Sequence, residues 1–164
     1  MNYWVIADTH LGHDKMVKQG YRPEGFEQKI FKNIYASIKS EDVLIHLGDV
    51  CIGCDEHWNN YLLGETHRCK TWLVKGNHDN KSNCWYLSHG WHCVSDALIL
   101  DVYGKRILFT HIPCTSHDNF DLNIHGHLHN TNHRNIEGLT EKHKLIYLEH
   151  EYRPFSLRKL VEGR

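Results

Sequence analysis

At 164 residues, with 40% hydrophobic and 24% charged positions, the chain is long enough to bury a real core in one domain without disulfide staples. A formal net charge of −1 excludes the strongly basic surface expected of a nucleic-acid or anionic-membrane binder. The unusual count is 16 histidines, and imidazole is the commonest protein metal ligand.

The elements follow in chain order. Met1 to Trp4 pass straight into a strand over Tyr3–Ala7, with no charged leader or long apolar run, which predicts neither an export signal nor a membrane span. From Phe26 the apolar residues recur at Ile30, Phe31, Ile34, Tyr35 and Ile38, one face of a helix. Val43–Leu47 reads as a strand, Trp58, Tyr61 and Leu62 as a second helix, and Trp72–Lys75 as a third strand. Strand–helix alternation with short links predicts a parallel sheet. Beyond it, Ala97–Val102 and Arg106–Thr110 flank Tyr103-Gly104-Lys105 and read as a hairpin. Leu122–His125 and Leu145–Glu149 read as strands, and Ser156 as the cap of a last helix through Val161, with Gly163 beyond it. Parallel units followed by mainly antiparallel strands predict an α/β fold of two packed sheets with helices outside, a single domain over residues 1–164. The C-terminal charges, with Arg134, Lys142, Lys144, Arg153, Arg158 and Lys159 interleaved among Glu137, Glu141, Glu149, Glu151 and Glu162, read as a solvated face. The six cysteines are not spaced as a disulfide framework and read as reduced thiols of a cytoplasmic protein. Cys51-x-x-Cys54 would need two further ligands to make a structural zinc site, with Cys69, Cys84 and Cys93 the candidates, and reads instead as loop and core thiols.

Metal-binding residue types follow five strand ends: Asp8-Thr9-His10, Gly48-Asp49, Gly76-Asn77-His78-Asp79, His111, and Gly126-His127-Leu128-His129. In open α/β sheets the site lies outside the carboxyl ends of the strands, so five ends can deliver residues to one place. Residues two apart, as in Asp8/His10 and His127/His129, leave extended backbone on the same side. Gly48, Gly76 and Gly126 each precede a candidate ligand, where the backbone must turn off its strand. Carboxylate, amide oxygen and imidazole donors suit Mn²⁺, Fe, Zn²⁺ or Ni²⁺ rather than a thiolate site. His57, His67, His133 and His143 read as surface residues, His46 and His125 as packed or supporting, and His89 and His92 as part of a helix–strand junction.

These five blocks, in this order over residues 8–129, resemble the calcineurin-like metallophosphoesterases. Asp8-Thr9-His10-x-Gly12-His13, Arg22-Pro23 and Tyr152-x-Pro154 are similar to the short stand-alone members of bacteria and their viruses. The resemblance implies an αββα sandwich and two divalent ions, Mn²⁺ foremost. Asp8, His10 and His129 would hold one, Asn77, His111 and His127 the other, and Asp49 would bridge them. It also implies attack on a phosphate ester by a metal-bridging hydroxide, with His78 as general acid. Asp79 is expected to orient His78, Asn77 to contact substrate as well as metal, and His13 either to touch the substrate phosphate or merely to close its loop. No insertion between Asp8 and His129 is large enough for a cap domain, so the site is expected to be open.

Two ions against two carboxylates leave a charge of about +2, and a bridging hydroxide about +1, which matches a phosphodiester monoanion. The protein-phosphatase branch follows its Gly-Asp with Asp-Arg-Gly to hold a monoester dianion. Here Asp49 continues as Val50-Cys51-Ile52-Gly53-Cys54. Lys75 and Lys81 flank the third block, and Arg22 or Arg134 are the cations that could fold over the metals. The expected partner is a small-molecule or nucleotide-type phosphate ester, with no membrane and no strong nucleic-acid signature. The alternatives are a monoesterase at the same site, a non-catalytic scaffold that would lack a histidine at position 78, and a metal-buffering protein whose histidines would be scattered.

Overall fold

The structure, a computed structural model, describes residues 1–116, 119–129 and 136–163; His133 and Arg134 lie outside them. Nine strands and five helices are described: β1 (Tyr3–Ile6), α1 (Asp14–Lys18), α2 (Phe26–Ser37), β2 (Val43–His46), α3 (Asp55–Gly64), β3 (Lys70–Val74), α4 (Asn83–Ser88), β4 (Cys93–Ser95), β5 (Ala97–Val102), β6 (Lys105–Thr110), β7 (Leu122–His125), β8 (His143–Leu145), β9 (Phe155–Ser156) and α5 (Leu157–Glu162). One sheet runs β4-β3-β2-β1-β9, the other β5-β6-β7-β8. The fold is a two-sheet α/β sandwich, with no cap domain among the described residues.

Alternation along the central strands builds two cores. Ile6, Leu44 and Leu73 face α2, α3 and α4, where they meet Phe26, Ile30, Ile34, Leu62 and Tyr86. Their neighbours Val5, Val43, Ile45 and Val74 face the second sheet and pack on Ile107, Phe109 and Ile124. Because β1 and β2 are apolar on both faces, they lie at the centre of the molecule, and their ends are rigidly placed.

The expected parallel β1–β2–β3 set is present, extended by the parallel strand β4, with β9 antiparallel on its far edge. The second sheet differs from expectation. Only β5 and β6 pair antiparallel, whereas β6–β7 and β7–β8 are parallel. The hairpin is legible because Tyr103 and Gly104 both carry positive φ, 54° and 70°, the two-residue turn whose twist suits a hairpin. The β6-to-β7 connection has no helical periodicity to announce a crossover. The last strand of that sheet is also shifted: it covers His143–Leu145, and Leu148 and Glu149 already lie in a turn. Ser156 does sit at the N-cap of α5, yet its side chain makes no capping bond there.

Candidate metal centre

All five motif ends meet at the carboxyl edges of the two sheets. The β1 and β2 exits stay zipped together past their strands, with Asp8 N–H donating to Gly48 O (3.1 Å), His10 N–H to Asp49 O (2.9 Å) and Leu11 N–H to Val50 O (3.0 Å). The turns off the strands are abrupt. Among the described residues ten non-glycine positions have positive φ, and Asp8 (53°), His10 (45°), Asp49 (55°), His127 (70°) and His129 (49°) are five of them. Left-handed backbone costs a non-glycine residue on the order of 1 kcal/mol or more, and Asp and His tolerate it better than most. Half of this strain is therefore stored in the predicted ligands. The glycines serve two purposes: Gly48 supplies φ +88°, while Gly76 and Gly126 allow close approach. A Cβ on Gly76 would lie 2.2 Å from Asp49 Oδ1, and one on Gly126 2.7 Å from Asp8 Oδ2.

The predicted ligands fall into two groups, Asp8/His10/His129 and Asp49/His111/His127, with the donor atoms of each group within 4.8 Å of one another. Asn77 joins the second group, its Oδ1 2.9 Å from His111 Nε2. One oxygen lies between the groups: Asp49 Oδ2 is 3.6 Å from His10 Nε2 and 3.4 Å from His111 Nε2. The other oxygen, Oδ1, is held by His78 N–H at 2.8 Å.

Hydrogen bonding decides which atoms offer lone pairs. The Leu47 carbonyl can only accept, so His111 Nδ1 carries its proton at 2.8 Å, and Nε2 offers a lone pair. That lone pair faces the Asn77 and Asp49 oxygens, themselves acceptors. His10 has both ring nitrogens buried without a hydrogen-bond partner among the described residues. Buried acceptors turned on one another are costly unless a cation lies among them, and two carboxylates with oxygen and imidazole donors suit a first-row divalent ion. The groups fit metal ions.

The electrostatics point the same way. Burial drives the Asp8 carboxyl up to about 7, even though the nearby His111 and His129 pull it down. Burial likewise drives His10 down to about 3, against the pull of Asp49. Burial would raise Asp49 too, but without a cation His111 can take a second proton and turn it to this carboxylate, and with the His78 N–H it holds Asp49 below its ordinary value.

The remaining predicted residues distribute as follows. His78 is exposed at the mouth, its ring 5.5 Å from that of His10, and Asn77 is exposed beside it. His13, half-buried, has its ring 5.6 Å from His10. Asp79 has another task than orienting His78. Its carboxylate accepts the backbone N–H groups of Asp49 (2.8 Å), Gly76 (2.8 Å) and Val50 (3.1 Å), clamping the Asp49 turn to the Asn77 turn. His46 is fully buried: Gly48 N–H donates to its Nδ1, so Nε2–H donates to Thr9 Oγ1, whose hydroxyl donates to Val50 O. His143 is buried rather than on the surface. Thr140 N–H donates to its Nδ1 and its Nε2–H donates to Cys114 O.

Two residues have a different place at the site from the one the sequence suggested. Arg22 is buried beneath it, donating to the carbonyls of Asp8 and Thr9 at 2.7 Å each, so it does not fold over the two ligand groups. Glu149, read above as part of a solvated face, has a side chain only 10% exposed, ion-paired to Arg22 and 3.1 Å from His129 Nδ1. Lys75 and Lys81 are engaged as well, Lys75 Nζ with Lys81 O (2.9 Å) and Lys81 Nζ with Asp55 (3.4 Å).

The model of the calcineurin-like phosphoesterase superfamily domain matches residues 1–147. The chain belongs to that superfamily. A solved protein of unknown function from Aquifex aeolicus superposes with a TM-score of 0.78 at 28% identity, over 99% of each chain. An uncharacterized protein of Methanocaldococcus jannaschii is 25% identical over 97% of this chain and 89% of its own length. An archaeal phosphodiesterase shares the fold at 17% identity and a TM-score of 0.52, over 90% of this chain and 82% of its own. As in other members of this phosphoesterase superfamily, the site holds two candidate His/Asp clusters for divalent ions. Among the described residues no helix is long and apolar enough to cross a membrane.

Proposed function

We propose that the chain hydrolyses phosphodiesters of small-molecule or nucleotide type at a two-metal centre, with His78 as the general acid. The observation that carries this reading is the sharing of Asp49 Oδ2 between the two ligand groups, 3.6 Å from His10 and 3.4 Å from His111. Asp8, His10 and His129 would hold one ion, Asn77, His111 and His127 the other, and Asp49 both, with Mn²⁺ the first choice for these oxygen and nitrogen donors. When bound, such a pair acidifies a water and neutralises charge on the phosphoryl oxygens.

The protein's own residues supply the rest. The His78 backbone is tied to the shared carboxylate, which keeps the exposed imidazole at the mouth, where it can protonate a leaving alkoxide. Such a proton transfer is worth about 10²–10⁴-fold. Asn77 and His13 flank the same opening as substrate contacts. Preference for a diester follows from charge: the site, at about +1 with its hydroxide, matches a monoanion, and Arg22, Lys75 and Lys81 are all committed elsewhere, so none of these three matches the second charge of a monoester dianion. Six free thiols accord with a reducing, cytoplasmic compartment.

Two measurements test the reading. With Mn²⁺ and pH fixed, kcat/KM should be higher for bis-p-nitrophenyl phosphate than for p-nitrophenyl phosphate; the reverse order sinks the diester assignment. His78→Ala should keep both ions and lose about 10²–10⁴-fold in kcat on alkyl esters, but much less on nitrophenyl esters, whose leaving group needs little protonation. An equal loss on both would make His78 a positioning group.

A further inference from the structure

The two ligand groups are supported from behind by different chemistry. In the second, His111 Nδ1–H is held by a main-chain carbonyl, Leu47 O. In the first, His129 Nδ1 meets a carboxylate oxygen, Glu149 Oε1, at 3.1 Å. The same oxygen receives Arg22 Nη2 at 2.7 Å and Nε at 3.1 Å. A guanidinium that is 0% exposed beside a dication site would be strongly disfavoured alone, but Glu149 neutralises it and the pair adds no net charge. Glu149 stands two positions beyond residue 147, where the superfamily match ends.

We propose that Glu149, locked by Arg22, is the positioning residue of the first metal: it fixes the tautomer and ring direction of His129 and thereby sets the affinity of that ion alone. The proposal rests on the two-metal reading above. A carboxylate can only accept, so the proton of neutral His129 stays on Nδ1 and the lone pair on Nε2 is left for the group it forms with Asp8 and His10. A charged acceptor behind the ring also makes it a better donor than a carbonyl does. Arg22 adds registration. Its Nη2 donates both to Glu149 and to the carbonyl of Asp8, so one planar group indexes the Asp8 turn, at φ +53°, against the carboxylate that orients His129. Two ligands 121 positions apart are thereby set by one side chain.

The test is titration of the metal-free full-length chain with Co²⁺, followed by its visible absorption and by calorimetry. The wild type should show two binding steps. Glu149→Gln keeps an acceptor of the same shape and removes the charge; one step should weaken by about 10-fold, and by up to about 100-fold in Glu149→Ala, while the other holds. His129→Ala should abolish the same step, and Glu149→Gln added to His129→Ala should cost nothing further. Arg22→Lys, which retains the charge but loses the fork, should weaken that step too and carries the test if Glu149 variants fail to fold. Equal weakening of both steps, a further loss in the His129→Ala background, or no change in either step would overturn the proposal. A wild type that binds fewer than two Co²⁺ ions would instead overturn the two-metal reading itself.

Discussion

The two halves of the candidate metal centre share one carboxylate oxygen and are built on opposite plans. The second half is braced almost entirely from nearby backbone: Leu47 O holds His111, and Asp79 gathers three N–H groups from the Asp49 and Asn77 turns. The first half is braced by side chains brought from far along the chain, since Arg22 and Glu149 are separated by 127 positions and meet behind Asp8 and His129. Backbone bracing is specified wherever the strand ends are specified. Side-chain bracing exists only once the whole sandwich has closed, so it can be altered one residue at a time without moving a strand.

Substitutions separate the two plans. The largest effect is expected at their common point: Asp49→Ala should leave less metal bound than either His10→Ala or His111→Ala, measured as ions per chain by elemental analysis after gel filtration. Retention of two ions by Asp49→Ala would remove the shared oxygen from the reading. Next comes the backbone clamp of the second half. Asp79→Ala strands three N–H groups that Asp79 now satisfies, two of them on buried residues, and each buried orphan costs about 1–3 kcal/mol. Urea unfolding of the metal-free chain should therefore show a loss of several kcal/mol. A loss below about 1 kcal/mol would mean that the clamp is not needed to hold the turns.

The smallest effect should lie at the opposite end of the strands, away from both halves. Asp42 is buried at the start of β2, and its carboxylate accepts from Asn2 N–H and Nδ2, Trp4 Nε1 and Lys39 N–H. Burial pushes its carboxyl up, but these donors outweigh it and hold it below the ordinary value of 3.8. A group lowered in the folded state stabilises above its unfolded value and loses that contribution as the pH falls through the folded one. The stability difference between wild type and Asp42→Asn should thus be constant near neutrality, at about 1 kcal/mol, and shrink below a pH of about 4. A difference independent of pH would show that the ionised form of Asp42 is not what the donors favour.

Most of the candidate site was legible because its residue types sit in short motifs at strand ends, where chain direction alone carries them to one edge. Asp8, His10, Asp49, Asn77, His111, His127 and His129 could be named without coordinates for that reason. Glu149 could not. Alternating charges look alike whether they face solvent or fold inward, and no local pattern announces a partner 127 positions away. Asp79 was found but its three backbone partners were not, because adjacency to His78 in sequence does not say which way a carboxylate turns. The second sheet was misread in the same manner: a hairpin declares itself through its two turn residues, whereas a crossover whose sequence has no helical period leaves nothing to read.

The sequence by itself determined which residues can bind metal, which strands carry them, and that no local cation follows Asp49 to hold a second phosphate charge. These are properties of composition and period along the chain. Tertiary structure decided the parallel pairing of β6, β7 and β8, the left-handed turns that aim five ligands inward, and the burial of Arg22 against Glu149. Each of these depends on what lies across the sandwich. A strained turn or a buried charge is tolerated only when its partners arrive from other segments, and those partners come together only as the two sheets close.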